Sequence, residues 1–228
     1  QSRQSGQSGQ RQQGEQASQG EKPQSSRSQG QSQGQGESQG QQAKSPMQKY
    51  VRAVRGNVYG INNFSDNGNE TITDKATGLM WSKNDSKEGM DWVAALQYAE
   101  NSELAGYDDW RLPNVKELQG ILCYNYAPNA REEENMGAAI DPIFFCSEII
   151  NENGDKDYPY FWSGTSALFQ KGRPYYYAWY VAFGRAVSPG GTDSHGAGAV
   201  RFDTKHEGGP LGEDKARYYN YVRLVRNI

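Results

Sequence analysis

Leu104-Ala-Gly-Tyr-Asp-Asp-Trp-Arg-Leu-Pro-Asn-Val-Lys-Glu-Leu118 joins a Gly/Asp turn, a tryptophan and a helix start in one short run. Asn114 with Glu117 three residues on is a loose capping box, and Val115, Leu118 and Leu122 give the helix behind it a buried stripe. Upstream, Asp91 is an N-cap candidate for a first helix over Trp92–Glu100, with Trp92, Leu96 and Ala99 on one face and Gly106 just past its end. Before that helix, Asn67-Gly68 reads as a two-residue hairpin turn. Thr71–Thr73 and Gly78–Ser82 read as strands around a second turn at Asp74–Thr77. Beyond Leu122 no helix of comparable quality follows. Short aromatic strands replace it, at Tyr160–Trp162, Ala178–Phe183, Ala199–Phe202 and Tyr219–Val225, separated by Gly-, Pro- and Asp-rich loops. Two early helices and a twisted, loop-rich antiparallel sheet make an α+β domain.

The two ends of this domain resemble each other. Lys49-Tyr-Val-Arg-Ala-Val-Arg-Gly56 returns as Asn220-Tyr-Val-Arg-Leu-Val-Arg-Asn227. The apolar/basic alternation predicts strands with one buried face, and their positions predict that the N- and C-terminal strands are adjacent in one sheet. The first copy also fits the closing strand of an earlier domain removed by trimming.

Residues 1–46 are built differently from residues 47–228. They hold 16 Gln, 10 Ser and 8 Gly, and no Val, Ile, Leu, Met, Phe, Tyr, Trp or Cys. Without apolar surface they cannot offset roughly 1–2 kcal/mol of backbone entropy per ordered residue, so a disordered tail or spacer is expected. Its glycines, at 6, 9, 14, 20, 30, 34, 36 and 40, fall in all three registers, which excludes a collagen strand. All aromatics lie in the second part, a single domain able to bury a core.

Charge divides in the same way. The chain is −3 and the tail +2, which leaves −5 for residues 47–228. An acidic domain argues against bulk nucleic-acid binding, and no apolar run is long enough to span a membrane. The chain starts at Gln, which reads as a mature or trimmed product from which an export signal has been removed. Cys123 and Cys146 enclose 22 residues. In an exported chain they are expected to pair, a bridge worth about 3 kcal/mol for such a loop. Two buried free thiols are the alternative. A reactive thiol or metal site lacks ligands, because His195 and His206 are the only histidines.

Seven segments in order carry a family resemblance: Thr73-Asp-Lys-Ala-Thr-Gly-Leu-Met-Trp81, the run Leu104–Leu118, Asp141-Pro-Ile-Phe-Phe145, Tyr160-Phe-Trp-Ser-Gly-Thr165, Tyr180-Val-Ala-Phe-Gly-Arg185, His195-Gly-Ala-Gly-Ala-Val-Arg201 and Tyr221-Val-Arg-Leu-Val-Arg226. From about residue 50 to 228 the chain resembles the bacterial family named after the C-terminal domain of the Legionella collagen-like adhesin. The resemblance implies a C-type-lectin-like fold, related to formylglycine-generating enzymes, in exported proteins that bind rather than catalyse. The namesake trimerises through a collagen stalk and binds sulfated polysaccharides. Here a Gln/Ser/Gly tail stands in that place, which removes the basis for carrying trimerisation over. Cys123 and Cys146 also do not match the placement of the active-site cysteines of the formylglycine-generating enzymes.

Candidate sites follow from residue chemistry. Glu132-Glu133-Glu134 reads as a solvated charge run, and the adjacent Asp193, Ser194 and His195 point apart on an extended loop, so no enzyme is expected. Asp66, Asn67, Asn69 and Asp74 could offer oxygens to calcium, but they lack the loop spacing that wraps one ion, and a hairpin explains the same letters. No cofactor is expected. Trp81, Trp92, Trp110 and Trp162 are read as core. A basic and aromatic patch at Arg173, Tyr175, Tyr177, Arg185, His195, Arg201 and Lys205 is the candidate ligand site, since guanidinium forks hold anions and aromatic faces stack on sugars. The expected function is a secreted or surface-displayed adhesin domain for a polysaccharide or glycoconjugate. The rival is a homo-oligomeric extracellular fibre or matrix, assembled through the terminal strands and the tail.

Overall fold

The computed structural model describes residues 51–53, 55–56, 60–168, 175–188, 190–192, 195–214 and 217–228. The low-complexity tail and Arg173 lie outside these. The chain divides into two units, Gln1–Val54 and Arg55–Ile228, and every named element belongs to the second.

The N-terminal half is a meander. Strand β1 (Phe64–Asp66) pairs with β2 (Thr71–Asp74), and β2 with β3 (Leu79–Ser82), all antiparallel. The first turn is wider than the two residues expected. Gly68 and Glu70 both have positive φ, at 73° and 67°, and the Asn67 side-chain amide donates to Thr71 and Thr73 hydroxyls. The second turn is held by Asp74, whose carboxylate accepts from the Asn63 and Ala76 N–H groups, the Asn62 amide and the Thr77 hydroxyl.

Both helices form where the sequence places them. In α1 (Trp92–Glu100) the Asp91 carboxylate caps the Ala94 N–H. In α2 (Val115–Gly120) the capping box is complete: Asn114 accepts from Lys116 and Glu117 N–H, and Glu117 reaches back to the Asn114 N–H. A two-stranded hairpin follows, β4 (Ile149–Ile150) with β5 (Lys156–Asp157). A three-stranded antiparallel sheet then orders β6 (Tyr160–Ala167), β7 (Tyr177–Ala182) and β8 (Val200–Thr204), with a register shift in β6 between Trp162 and Ser166.

The last strand, β9 (Val225–Asn227), joins the N-terminal strands in one sheet, as expected, but with another partner. It closes the first sheet against β3, not against the first copy of the repeat. Val51–Ala53 and Arg55 are in no strand; Tyr50 and Val54 lie outside the described residues. On its other side Val225 exchanges both backbone bonds with Arg111.

Aromatic strands are buried on both faces, which is why they read as continuous apolar runs. Tyr160, Trp162, Tyr180, Ala182, Val222 and Leu224 enter one core with Ala95 and Ala99 of α1. Phe161, Val181, Phe183 and Val225 enter a second with Leu118 of α2 and Ile121. Arg223 lies between Val222 and Leu224, on the side of Val225, where it is fully buried. It donates to the carbonyls of Ser82, Lys83 and Phe145 at 3.0, 2.9 and 2.6 Å. The C-terminal copy therefore does not have one apolar and one solvated face.

Cys123 and Cys146 are separate thiols rather than the expected bridge. Cys123 N–H donates to the Ala139 carbonyl. The Cys146 thiol packs among the second core beside Arg223, and burial pushes it up to about 12.

Candidate functional site

The basic and aromatic patch is split by strand alternation and by pairing. Tyr177 is fully buried and Arg201 almost so. Arg201, opposite Tyr180 in the β7–β8 register, forks onto Asp214 with Nη1 at 2.8 and 3.0 Å from the two carboxylate oxygens. Its Nη2 donates to the Ala186 carbonyl at 2.9 Å and meets His195 Nδ1 at 2.9 Å. A guanidinium only donates, so Nδ1 is the accepting nitrogen. The Tyr180 hydroxyl donates to Asp214 at 2.7 Å; burial first, then the Asp214 charge, hold that phenol far above its ordinary value. Arg217 completes the hub: it stacks 4.0 Å from the Tyr160 ring, donates to the Val187 carbonyl and pairs with Glu152 and Asp214.

The remaining patch residues are scattered. Arg185 pairs with Asp155 at 3.0 Å and lines a small recess of about 260 Å³ with Lys156 and Tyr158. The Lys205 ammonium donates to the Ser166 hydroxyl at 2.7 Å and sits 3.9 Å above the Trp92 ring, where burial lowers its pKa. Tyr175 and His195 stay exposed. The Arg185 and Arg201 forks are thus engaged by carboxylates of the same chain.

The other candidates resolve similarly. Trp81, Trp110 and Trp162 are core, while Trp92 is half-buried with its Nε1 donating to the Ser163 carbonyl. Asp66 accepts from Lys83 and Gly68 N–H, and Asn69 from the Thr71 hydroxyl. With Asp74 occupied as above, these calcium candidates serve the hairpin. Among the described residues no cluster of three His, Cys, Asp or Glu side chains could hold a metal, and no helix is long and apolar enough to cross a membrane. Glu132, Glu133 and Glu134 are exposed. Asp193 and Ser194 lie outside the described residues.

A larger recess lies elsewhere. A groove of about 790 Å³ runs between the β2–β3 turn and α2. Leu79, Trp81, Ile121 and Leu122 supply apolar wall; Asn62, Asn114, Lys116 and Gln119 supply polar rim. At one end stands Tyr124, 72% exposed. Its ring lies so close to Gly198 (φ +84°) that a Cβ there would run into the phenol. The groove is of ordinary ligand-pocket size, roughly 300–1,000 Å³.

Two carboxylates line it, and neither is free. Asp74 carries its four hydrogen bonds. Burial pushes it upward, but the bonds from Asn63, Asn62, Thr77 and Ala76 outweigh that and hold it below the usual carboxylate range. Glu117 is similarly raised by burial and lowered further by Arg111, whose two Nη groups lie 2.8 and 2.9 Å from its oxygens, and by the Asn114 N–H. Asn114, Gln119 and Tyr124 did not stand out as site residues by type. Helical spacing held the signal: if Val115 and Leu118 face inward, Lys116 and Gln119 face outward.

A model of the Lcl C-terminal domain family matches residues 70–226. No curated protein and no solved structure matches the chain. The family is consistent with a surface adhesin-type domain.

Proposed function

The chain belongs to the Lcl C-terminal domain family, and from that premise we propose an exported, surface-displayed adhesin domain of C-type-lectin-like fold that binds a polysaccharide or glycoconjugate in the groove beside α2. Binding, not catalysis, is its role. The observation that carries this reading is the groove itself: a recess of about 790 Å³ with apolar wall, side-chain amides on its rim and an exposed tyrosine at its end. Sugar rings present apolar C–H faces and hydroxyl edges, and an aromatic face with amides matches both. Fibre assembly by strand addition has less support. β9 is bonded to β3 on one side and Val225 to Arg111 on the other, so the C-terminal copy offers no free edge at Val225.

A glycan array probed with the full chain and with Tyr124→Ala tests the reading. The full chain should bind at least one class of glycan, and the variant should lose about tenfold or more in affinity, the scale of one aromatic contact. A folded chain that binds no glycan at low salt, or a variant that binds unchanged, overturns it.

A further inference from the structure

We infer that the groove beside α2 selects an uncharged saccharide, not a sulfated or uronate-bearing one. This rests on the glycan reading above and names the class of its ligand. Three observations carry it.

The first is the state of the charged groups in the groove. Asp74 and Glu117 have their oxygens occupied by the turn, by Arg111 and by the Asn114 N–H. Among the described residues, Lys116 is the one cation that lines the groove, and no arginine does. Its described lining therefore offers no guanidinium fork, the group suited to sulfate or carboxylate.

The second is where the arginines are. Of the described arginines, Arg111, Arg185, Arg201, Arg217 and Arg226 are paired with Glu117, Asp155, Asp214, Glu152 and Asp109, and Arg52, Arg55 and Arg131 are exposed. Arg223 is spent on three backbone carbonyls. With residues 47–228 at −5, the domain's long-range field also disfavours a polyanion.

The third is what remains available. Gln119 and Asn114 expose side-chain amides on one side of the groove, and Asn62 adds a half-buried one opposite. Asn114 uses its Oδ1 for the cap, and Asn62 uses its Nδ2 on Asp74, which leaves a donor on one and an acceptor on the other. A hydroxyl both donates and accepts, so adjacent sugar hydroxyls satisfy such amides, whereas a sulfate oxygen only accepts. Tyr124 offers its ring to the C–H face.

The test is direct binding of the full chain to dextran and galactomannan as neutral probes, and to heparin and alginate as anionic ones, at low and moderate salt. A neutral probe should bind, with affinity changing less than about twofold between salts because no counterions are released. Gln119→Ala and Tyr124→Ala should each weaken it by about tenfold, and Lys116→Ala by less than about twofold. Circular dichroism checks that these surface variants are folded. Binding confined to heparin or alginate, with a steep salt dependence or a tenfold loss in Lys116→Ala, overturns the inference while leaving the glycan reading standing. Absence of binding to all four probes and across the array overturns both.

Discussion

The hub behind β7 and β8 and the groove beside α2 contrast in composition and in fate. The hub concentrates Arg201, Arg217, Tyr160, Tyr180 and Asp214, the residue types that most resemble a binding site on paper. Nearly all of that chemistry points inward: the Arg201 and Asp214 side chains are 4% and 5% exposed, and both Nη groups of Arg201 have partners inside the chain while its buried Nε has no hydrogen-bond partner. The groove holds ordinary residues such as asparagine, glutamine and one tyrosine, yet they face water. The difference teaches that residue type proposes a site and burial decides it. On a strand covered on both faces, an arginine has no outward side.

The contrast breaks most visibly at Asp214. Asp214→Ala leaves Arg201 and Arg217 without their shared carboxylate in a buried setting, and removing one partner of such a pair costs about 3–5 kcal/mol. Urea or thermal unfolding measures it. Tyr124→Ala, on the exposed side of the comparison, should stay within about 0.5 kcal/mol of the parent. If Asp214→Ala loses less than about 1 kcal/mol, Arg201 is not held by the fold and returns as a ligand candidate.

Asp74 sharpens the contrast, because it lines the groove but belongs to the turn. Its pKa lies below the usual carboxylate range in the folded chain, so its charged form is stabilised by folding. That contribution is present in full above the unfolded carboxylate value and is lost as pH falls through the depressed folded value. Asp74→Asn keeps the shape but sets an amide donor against the Asn62 amide and the Thr77 hydroxyl. A loss of about 1–2 kcal/mol is expected at pH 7. The gap between parent and variant should narrow below about pH 4. Urea titrations at several pH values read both; a gap that widens in acid contradicts the assignment.

How much of this was legible from the letters depends on sequence distance. Asp91 and Asn114 cap helices within three residues of themselves, so both helices could be placed from sequence. The turn after Asp74 was equally local. The partner of β9 was not: Trp81 pairs with Val225 across most of the chain, and the repeated Tyr-Val-Arg-x-Val-Arg pointed to the wrong partner. Arg223 was misleading for the same reason. Its alternation with Val222 and Leu224 signals a solvated side only if nothing covers it, and Phe145 and the Ser82–Lys83 backbone do. For the candidate site, the chemistry of Arg201 could be read but not its enclosure by Asp214, Ala186 and His195. Gln119 was readable only as the outward side of a helix whose inward side had already been identified.

The two cysteines carry the smallest expected effect and the same lesson, because export alone suggested a bridge that packing does not make. Both residues are partly buried, and the Cys146 thiol packs against the second core beside Arg223, pushed up to about 12 by burial. At neutral pH Cys146 is then a protonated, slow-reacting thiol. Reducing agent should leave the unfolding free energy unchanged within about 0.5 kcal/mol, where loss of a native disulfide costs about 2–5 kcal/mol. Alkylation of the native chain should label Cys123 before Cys146, and both should react once the chain is unfolded without reductant. Mass spectrometry separates the outcomes. If the unfolded chain takes no label until it is reduced, the bridge exists after all, and the second core must rearrange around Cys146 and Arg223 to admit it.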